Sequence, residues 1–299
     1  MKQLLIANDE NERAAEALLV ARAWLESNGV ETESVSSSHL LLGDAIYHEL
    51  SQRVAEFDLV CAFGGDGTIL RAARVVAGSE IPLLGFNYGT VGFLAGATDA
   101  SPDQALAAFF SGEVVFEQRV MLQASITYTD SRVAVCSALN EIAVGRVNPG
   151  RNICIDLDIN GDHLFQLRGD GVIVATATGS TAYALAAGGP LLTPGHRGLC
   201  VVPICPHPYA TPAIVIAPED VIELTIHLQS DQASTINIDG QLFAPYPIQN
   251  STGKADALSN EATSIKVVKA PVGLTLVRYD TPDFYTRLAM LFDGIHHAR

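Results

Sequence analysis

Near residue 112 the hydrophobic pattern of this chain changes period, and that change constrains the fold more than any single motif. Before it, apolar runs at 2–7, 30–35, 59–63 and 81–86 alternate with segments of helical spacing at 11–28, 44–55, 68–77 and from Ser101-Pro102 to Phe110. In 11–28, Ala14, Ala17, Leu18, Ala21 and Leu25 fall on one face and Gly29 stops the helix. Strands separated by helices cannot pair as hairpins, so a parallel sheet flanked by helices is expected. Beyond Gly112 the period falls to two. Residues 120–129 and 132–138 alternate around Thr129-Asp130-Ser131, and Ile153–Ile159 and 163–167 flank Asn160-Gly161, a strong hairpin signal. Further short strands fit Leu199–Ile204, 213–217, 221–228 and Ser234–Ile238; within this half only 181–187 reads as a helix, and 249–264 as an exposed loop. A last helix at 283–291 carries Phe284, Leu288 and Leu291 on one face. The expected fold is an α/β N-terminal domain with a parallel sheet (1–112) plus a β-rich C-terminal domain (113–279). A terminal helix within 280–299 is expected to pack back on the first.

The 299 residues give room for two such domains, and 48% hydrophobic with 17% charged residues excludes a disordered, tail-like protein. A net charge of −15 argues against a nucleic-acid-binding face, which needs a concentrated positive field. A polyanionic ligand must then be met by backbone amides, a metal ion and a few placed arginines. The five cysteines are scattered. Cys61 and Cys154 sit in apolar runs, and Cys200 and Cys205 near His207 lack the second Cys/His pair of a zinc site. A reducing, cytoplasmic compartment fits this usage. The N-terminus turns acidic at once, so it does not read as a signal peptide. The uncharged stretch 171–192 is rich in Gly, Thr and Ser rather than Leu, Ile and Val. It therefore reads as backbone buried beside a ligand, not as a membrane span.

The run 62–74, AFGGDGTILRAAR, sets three glycines around one aspartate between a buried strand and a helix. Such a turn points free N–H groups out of the positive end of the helix dipole, a cradle for phosphate, with Gly64, Gly65 and Gly67 in the turn. Neither the Walker A lysine nor the Rossmann glycine spacing is present. Arg71 and Arg74 follow one and two turns into the helix; a plain helix-starting turn with surface arginines has the same pattern. In 168–190 small residues surround Thr178, Ser180 and Thr181, whose hydroxyls at a helix start can read a purine edge or a phosphate. A packing seam is the plainer use of so many small side chains.

FGGDGT at 63–68, NYGTVGFL at 87–94, Asn140-Glu141, Asp170-Gly171 and TGSTAYALAAGGP at 178–190 stand in this order, with CPH at 205–207 and DGQ at 239–241. Together they resemble the NAD kinases, which transfer a phosphoryl group to the 2′-hydroxyl of the adenosine ribose of NAD. The resemblance runs from Leu59 to Gln241. It departs at Ala175-Thr176-Ala177, where the family commonly has Ser-Thr-Pro, and at Asn87-Tyr88. It implies ATP or polyphosphate as donor, with Mg²⁺ or another divalent metal. Donor phosphates would lie on Gly64, Gly65, Gly67, Thr68 and Arg71. Asp66, with Gly67 beside it, would face NAD, orient the 2′-hydroxyl and accept its proton. Asn140 and Glu141 would hold the ribose, Phe93 would wall the adenine, and Thr178, Thr181, Ala182 and Tyr183 would complete the adenosine pocket. Asp170 would line the dinucleotide site and Arg168 meet the pyrophosphate. Read singly, Phe93 fits a core, Glu141 a solvated strand start and Tyr183 helix packing. The family also implies a homo-oligomer, dimer or tetramer, built through the β-rich domain. A lipid kinase would share the phosphate loop but not the hydroxyl-rich 176–181. A non-catalytic dinucleotide sensor would not need Asp66.

Overall fold

The elements begin with β1 (Lys2–Ala7), α1 (Glu12–Ser27), β2 (Glu31–Ser36), α2 (Ala45–Gln52) and β3 (Leu59–Gly64). Then come α3 (Asp66–Val75), β4 (Leu83–Asn87), α4 (Pro102–Ser111), β5 (Val115–Arg119), β6 (Leu122–Tyr128) and β7 (Val133–Ala138). The chain continues through β8 (Glu141–Arg146), β9 (Ile153–Ile159), β10 (Asp162–Gly169), β11 (Gly171–Ala175) and α5 (Tyr183–Ala186). Next are β12 (Leu199–Ile204), β13 (Ile214–Ile216), β14 (Ile222–His227), β15 (Ser234–Ile238) and β16 (Gln241–Leu242). Last are β17 (Ile248–Gln249), β18 (Ala255–Asp256), β19 (Ala262–Lys269), β20 (Leu274–Arg278) and α6 (Phe284–His297). This computed structural model describes residues 1–89, 92–97, 101–148, 150–208, 211–228, 233–243, 248–249, 255–256 and 262–297. The chain divides into two units: Met1–Arg119 with Val272–Arg299, and Val120–Pro271.

In the first unit a six-stranded sheet runs β2-β1-β3-β4-β20-β5, parallel except for the β20–β5 pair. β3 is buried at every position, as a central parallel strand covered on both faces must be. The predicted face of α1 is the buried one, and the Asn11 side chain accepts the Ala14 N–H at 3.2 Å to cap the helix. Burying Leu18 and Leu25 contributes roughly 1.5–3 kcal/mol each. The Phe63 and Phe86 rings stack at 4.7 Å in the same core. The boundary expected at 112 shifts, because β5 pairs with β20, Arg119 opposite Leu274. Residues 113–119 and 272–279 therefore lie in the first unit, together with α6.

The second unit holds two antiparallel six-stranded sheets, β10-β9-β14-β19-β6-β7 and β13-β12-β11-β8-β15-β16. The β9–β10 hairpin turns on Asn160 (φ 55°) and Gly161 (φ 86°), both left-handed as a type I′ turn requires. Two expectations need correction here. The helix at 181–187 is split: a 3₁₀ turn covers Gly179–Thr181, α5 starts only at Tyr183, and Ala182 between them has ψ −126°. Side-chain bonds compete with the helix there, since the Ser180 hydroxyl donates to the Ala177 carbonyl (2.7 Å) and that of Thr181 to Thr178 (3.0 Å). The loop at 249–264 ends early, because Ala262 already belongs to β19. β17 and β18 pair within it, and 250–254 and 257–261 lie outside the described residues.

Candidate functional site

In the first unit the order β2-β1-β3-β4 reverses between β1 and β3, the position where open α/β sheets bind ligands beyond their carboxyl ends. A cavity of about 360 Å³ lies there, lined by Asn8, Glu10, Ser37, Ser38, Leu41, Gly65, Gly67, Thr68 and Arg71. A Cβ added at Gly65 or Gly67 would meet no protein atom within 4 Å, so the turn is open to a ligand. Gly64 is different: its added Cβ would strike the Thr68 side chain, so this glycine is required by the close strand-to-helix turn. Thr68 is buried at the cavity edge, and Arg71 Nη1 donates to the Ser37 carbonyl at 2.9 Å, which holds its guanidinium beside the glycines. Arg74 is buried in the last turn of α3, not presented to a ligand.

Asp66 is the first residue of α3, after the cap Gly65. Its carboxylate accepts the backbone N–H of Phe93 (3.0 Å) and of Leu94 (3.3 Å). Burial pushes this carboxyl up from its ordinary value, against the two amides and the charges of Arg287 and Arg278, which pull it down. An added Cβ at Gly92 would strike the same carboxylate, which explains a glycine there. Phe93 is half-buried and its ring lies 5.9 Å from that of Phe284, so the side chain expected to wall an adenine also packs on α6.

In the second unit β8 and β11 pair with Glu141 opposite Ala175, which sets Asn140-Glu141 beside the small-residue turn. The Thr176 N–H donates to the Asn140 carbonyl (2.9 Å), its hydroxyl donates to Leu139 (2.6 Å), and it accepts the Gly179 N–H (3.2 Å). An added Cβ at Gly179 would strike the Asn140 carbonyl oxygen, so the turn carrying Thr178, Thr181, Ala182 and Tyr183 rests on the backbone of Asn140. Thr178 is buried, Thr181 and Ala182 are half-buried and Tyr183 is exposed. Glu141 is only 4% exposed, not solvated, and burial followed by the nearby charge of Asp239 pushes its carboxyl up to about 8. Buried Glu141 Oε2 and Asn140 Oδ1 have no hydrogen-bond partner among the described residues. Two unsatisfied acceptors side by side are costly unless a ligand answers them.

Asp239 was noted in the sequence only as part of a motif. At φ 48° it turns its carboxylate onto the N–H groups of Leu139 (3.1 Å), Asn140 (2.7 Å) and Glu141 (3.3 Å). Its signal was Asp-Gly between two strands, a left-handed turn. Asp170 stands apart. It lies just before β11, level with Arg146, five residues and about 17 Å along β8 from Glu141. Its carbonyl accepts the Arg146 N–H (2.9 Å), and its carboxylate is held by Arg146 Nε (2.8 Å) and Nη2 (3.0 Å). Arg168 is exposed on β10, its carbonyl taking the His207 N–H at 2.8 Å.

Comparisons with known proteins agree with these motifs. A family description, ATP-NAD kinase N-terminal domain, matches residues 5–114, and ATP-NAD kinase C-terminal domain matches 139–252. The NAD kinase of Aromatoleum aromaticum is 33% identical over 298 residues, covering 98% of this chain and 92% of that protein. That of Nitrosococcus oceani is 37% identical over 244 residues, 79% of this chain and 82% of that protein. Among solved structures, an NAD kinase from Archaeoglobus fulgidus in complex with ATP superposes with TM-score 0.68 at 25% identity over 99% of both chains. Yeast NADH kinase complexed with NADH shares the fold, TM-score 0.80 at 21% identity over 98% of this chain and 88% of that one. The chain belongs to the NAD kinase family.

Proposed function

We propose that this chain transfers a phosphoryl group from ATP, or from inorganic polyphosphate, to the 2′-hydroxyl of the adenosine ribose of NAD, giving NADP. The observation that carries the reading is the setting of Asp66. Its carboxylate is gripped by two amides at the start of α3, between glycines that are open to a ligand. Phosphoryl transfer needs alignment and charge neutralisation more than covalent chemistry. In this reading Gly64, Gly65, Gly67, Thr68 and Arg71 hold donor phosphates, while Asp66 orients the 2′-hydroxyl and takes its proton at a carboxylate oxygen. Asn140 and Glu141 offer acceptors to the ribose hydroxyls, and a Glu141 kept protonated near pH 7 also donates. Phe93, Thr178, Thr181, Ala182 and Tyr183 take the adenosine, and Asp170 and Arg168 the more distant part of the dinucleotide.

Among the described residues no group of three His, Cys, Asp or Glu side chains could hold a metal. One carboxylate, Glu10, lines the cavity beside the glycine turn, and it would suit an Mg²⁺ held chiefly by the donor's own phosphates. Such an ion supplies positive charge to the transferring group. The exposed Val133 and Val135 on the edge strand β7 support a homo-oligomer, dimer or tetramer, through the second unit. Five free cysteines accord with a reducing, cytoplasmic setting. The test is conversion of NAD with ATP or polyphosphate and Mg²⁺, read with an NADP-specific dehydrogenase, beside Asp66→Asn. Turnover of the variant is expected to fall about 10²–10⁴-fold with NAD affinity little changed. Wild-type turnover in Asp66→Asn would refute the role.

A further inference from the structure

Behind Asp66 lies a group of buried cations that the reaction as described does not use. Arg119 and Arg287 are each 6% exposed and the Arg278 side chain 11%. Glu117 pairs with Arg278 Nε at 2.6 Å and with Arg119 Nη2 at 2.8 Å. The rest of the Arg278 fork points elsewhere. Nη1 donates to the carbonyls of Leu94 (2.9 Å) and Ala95 (2.5 Å), and Nη2 to that of Phe93 (3.3 Å). Arg287 Nη1 donates to the same Phe93 carbonyl (2.8 Å), while its Nε donates to Pro282 (2.9 Å). Residues 93 and 94 are therefore gripped twice. Their carbonyls are fixed by guanidinium groups, and their N–H groups hold the Asp66 carboxylate.

We propose that Arg278 and Arg287 are positioning residues for Asp66, fixing the 93–95 backbone so that its amides hold the carboxylate at one place and one orientation. The inference rests on the reading of Asp66 given above. Neutral donors would satisfy three carbonyls equally well, and burying a guanidinium is costly. Burial indeed pushes Arg287 down to about 10. The retained charge has an evident object: Arg287 and Arg278 are the cations that oppose the desolvation of Asp66. Glu117, Arg119 and Asp283 are the further charged groups that bear on this pair.

The experiment measures kcat, KM for NAD and ATP, and the acid limb of kcat/KM against pH for Arg287→Gln and Arg287→Lys. Both are made in the wild-type and Asp66→Asn proteins, with thermal unfolding as a folding control. Arg287→Gln is expected to lower kcat about 10–100-fold by misplacing Asp66, with both KM values nearly unchanged and the acid limb moved to higher pH. Arg287→Lys keeps the charge, so its acid limb should stay in place and part of kcat return. In Asp66→Asn the Gln substitution should cost nothing further, because its effect passes through a carboxylate already removed. An unmoved acid limb, or the same fold-loss in both backgrounds, overturns the proposal. Full turnover of Asp66→Asn alone instead overturns the reading beneath it. If Arg287→Gln does not fold, Arg278→Lys, which puts one nitrogen where three now span Glu117 and the three carbonyls, carries the test: lowered kcat is expected, and unchanged kcat overturns it.

Discussion

Replacing Glu141 by Gln should make the ligand-free protein more stable at alkaline pH and leave it unchanged in acid. The Glu141 carboxyl is held near 8, by burial first and by Asp239 second, against an ordinary value of 4.5. A carboxyl that binds its proton more tightly when folded stabilises the fold fully below the unfolded value. That stability is lost as pH rises from about 4.5 to about 8, and the loss levels off above. The whole interval amounts to on the order of 4 kcal/mol, or about 10 °C in Tm for a unit of this size. Because the side chain is 4% exposed, little of this is screened by solvent. Gln has nearly the same shape and no charge to desolvate, so its Tm should not fall across this window. Scanning calorimetry of both proteins without nucleotide, between about pH 5 and about pH 9, makes the comparison. The curves should meet near pH 5 and part toward pH 8, with Gln above. Parallel curves would refute the reasoning, since they would mean that Glu141 ionises as easily folded as unfolded. Turnover of the more stable variant should fall, as expected where a buried polar group is kept for binding.

The glycines separate packing from ligand contact. Gly64→Ala should destabilise the first unit by about 1–3 kcal/mol through its clash with Thr68, read as a lower Tm. Gly67→Ala should leave Tm nearly unchanged, because nothing in the protein meets the new methyl, but weaken the donor in KM. Equal Tm losses at both positions would contradict the geometry. Gly179→Ala forces a methyl onto the Asn140 carbonyl, so NAD affinity and Tm should drop together in calorimetric titration and melting. Unchanged NAD affinity would show that the turn does not shape the site.

Local chemistry explains which elements were legible. The Asn11 cap and Gly29 stop delimit α1, Asn160-Gly161 fixes the β9–β10 register, and β12 and β15 fall on their apolar runs. Each signal lies within a few residues of its effect. β5 and β20 escaped because the partner that makes each a strand is more than 150 positions away. β8 and β11 escaped because Glu141, Gly171 and the small residues after them read as site, and it is pairing that makes them strands. The site divided similarly. Asp66 and the glycines announced themselves as a motif. Arg278 and Arg287 bore no pattern, since their partners are backbone carbonyls that have no letter in a sequence. Glu141 was visible, but the charge that helps to raise its carboxyl comes from Asp239 in a distant turn.

The order in which the first sheet is completed bears on how the protein is made. β20 sits between β4 and β5, and it leaves the ribosome only after the whole of 120–271. During synthesis the nascent N-terminal unit can form β2-β1-β3-β4 with its glycine turn, but β5 must wait for the strand that joins it to the rest. At about 5–20 residues per second, that interval lasts on the order of ten seconds. Throughout it the β4 edge stays open at Leu83, where β20 pairs, while its far end can already bond to Gly96 and Ala97, which leaves only a short edge to recruit a foreign strand. The backbone that grips Asp66 is likewise incomplete until Arg278 and Arg287 emerge. In the proposed reaction Asp66 is therefore made early but set in place late, and a chain cut short before Arg278 is expected to turn over little NAD.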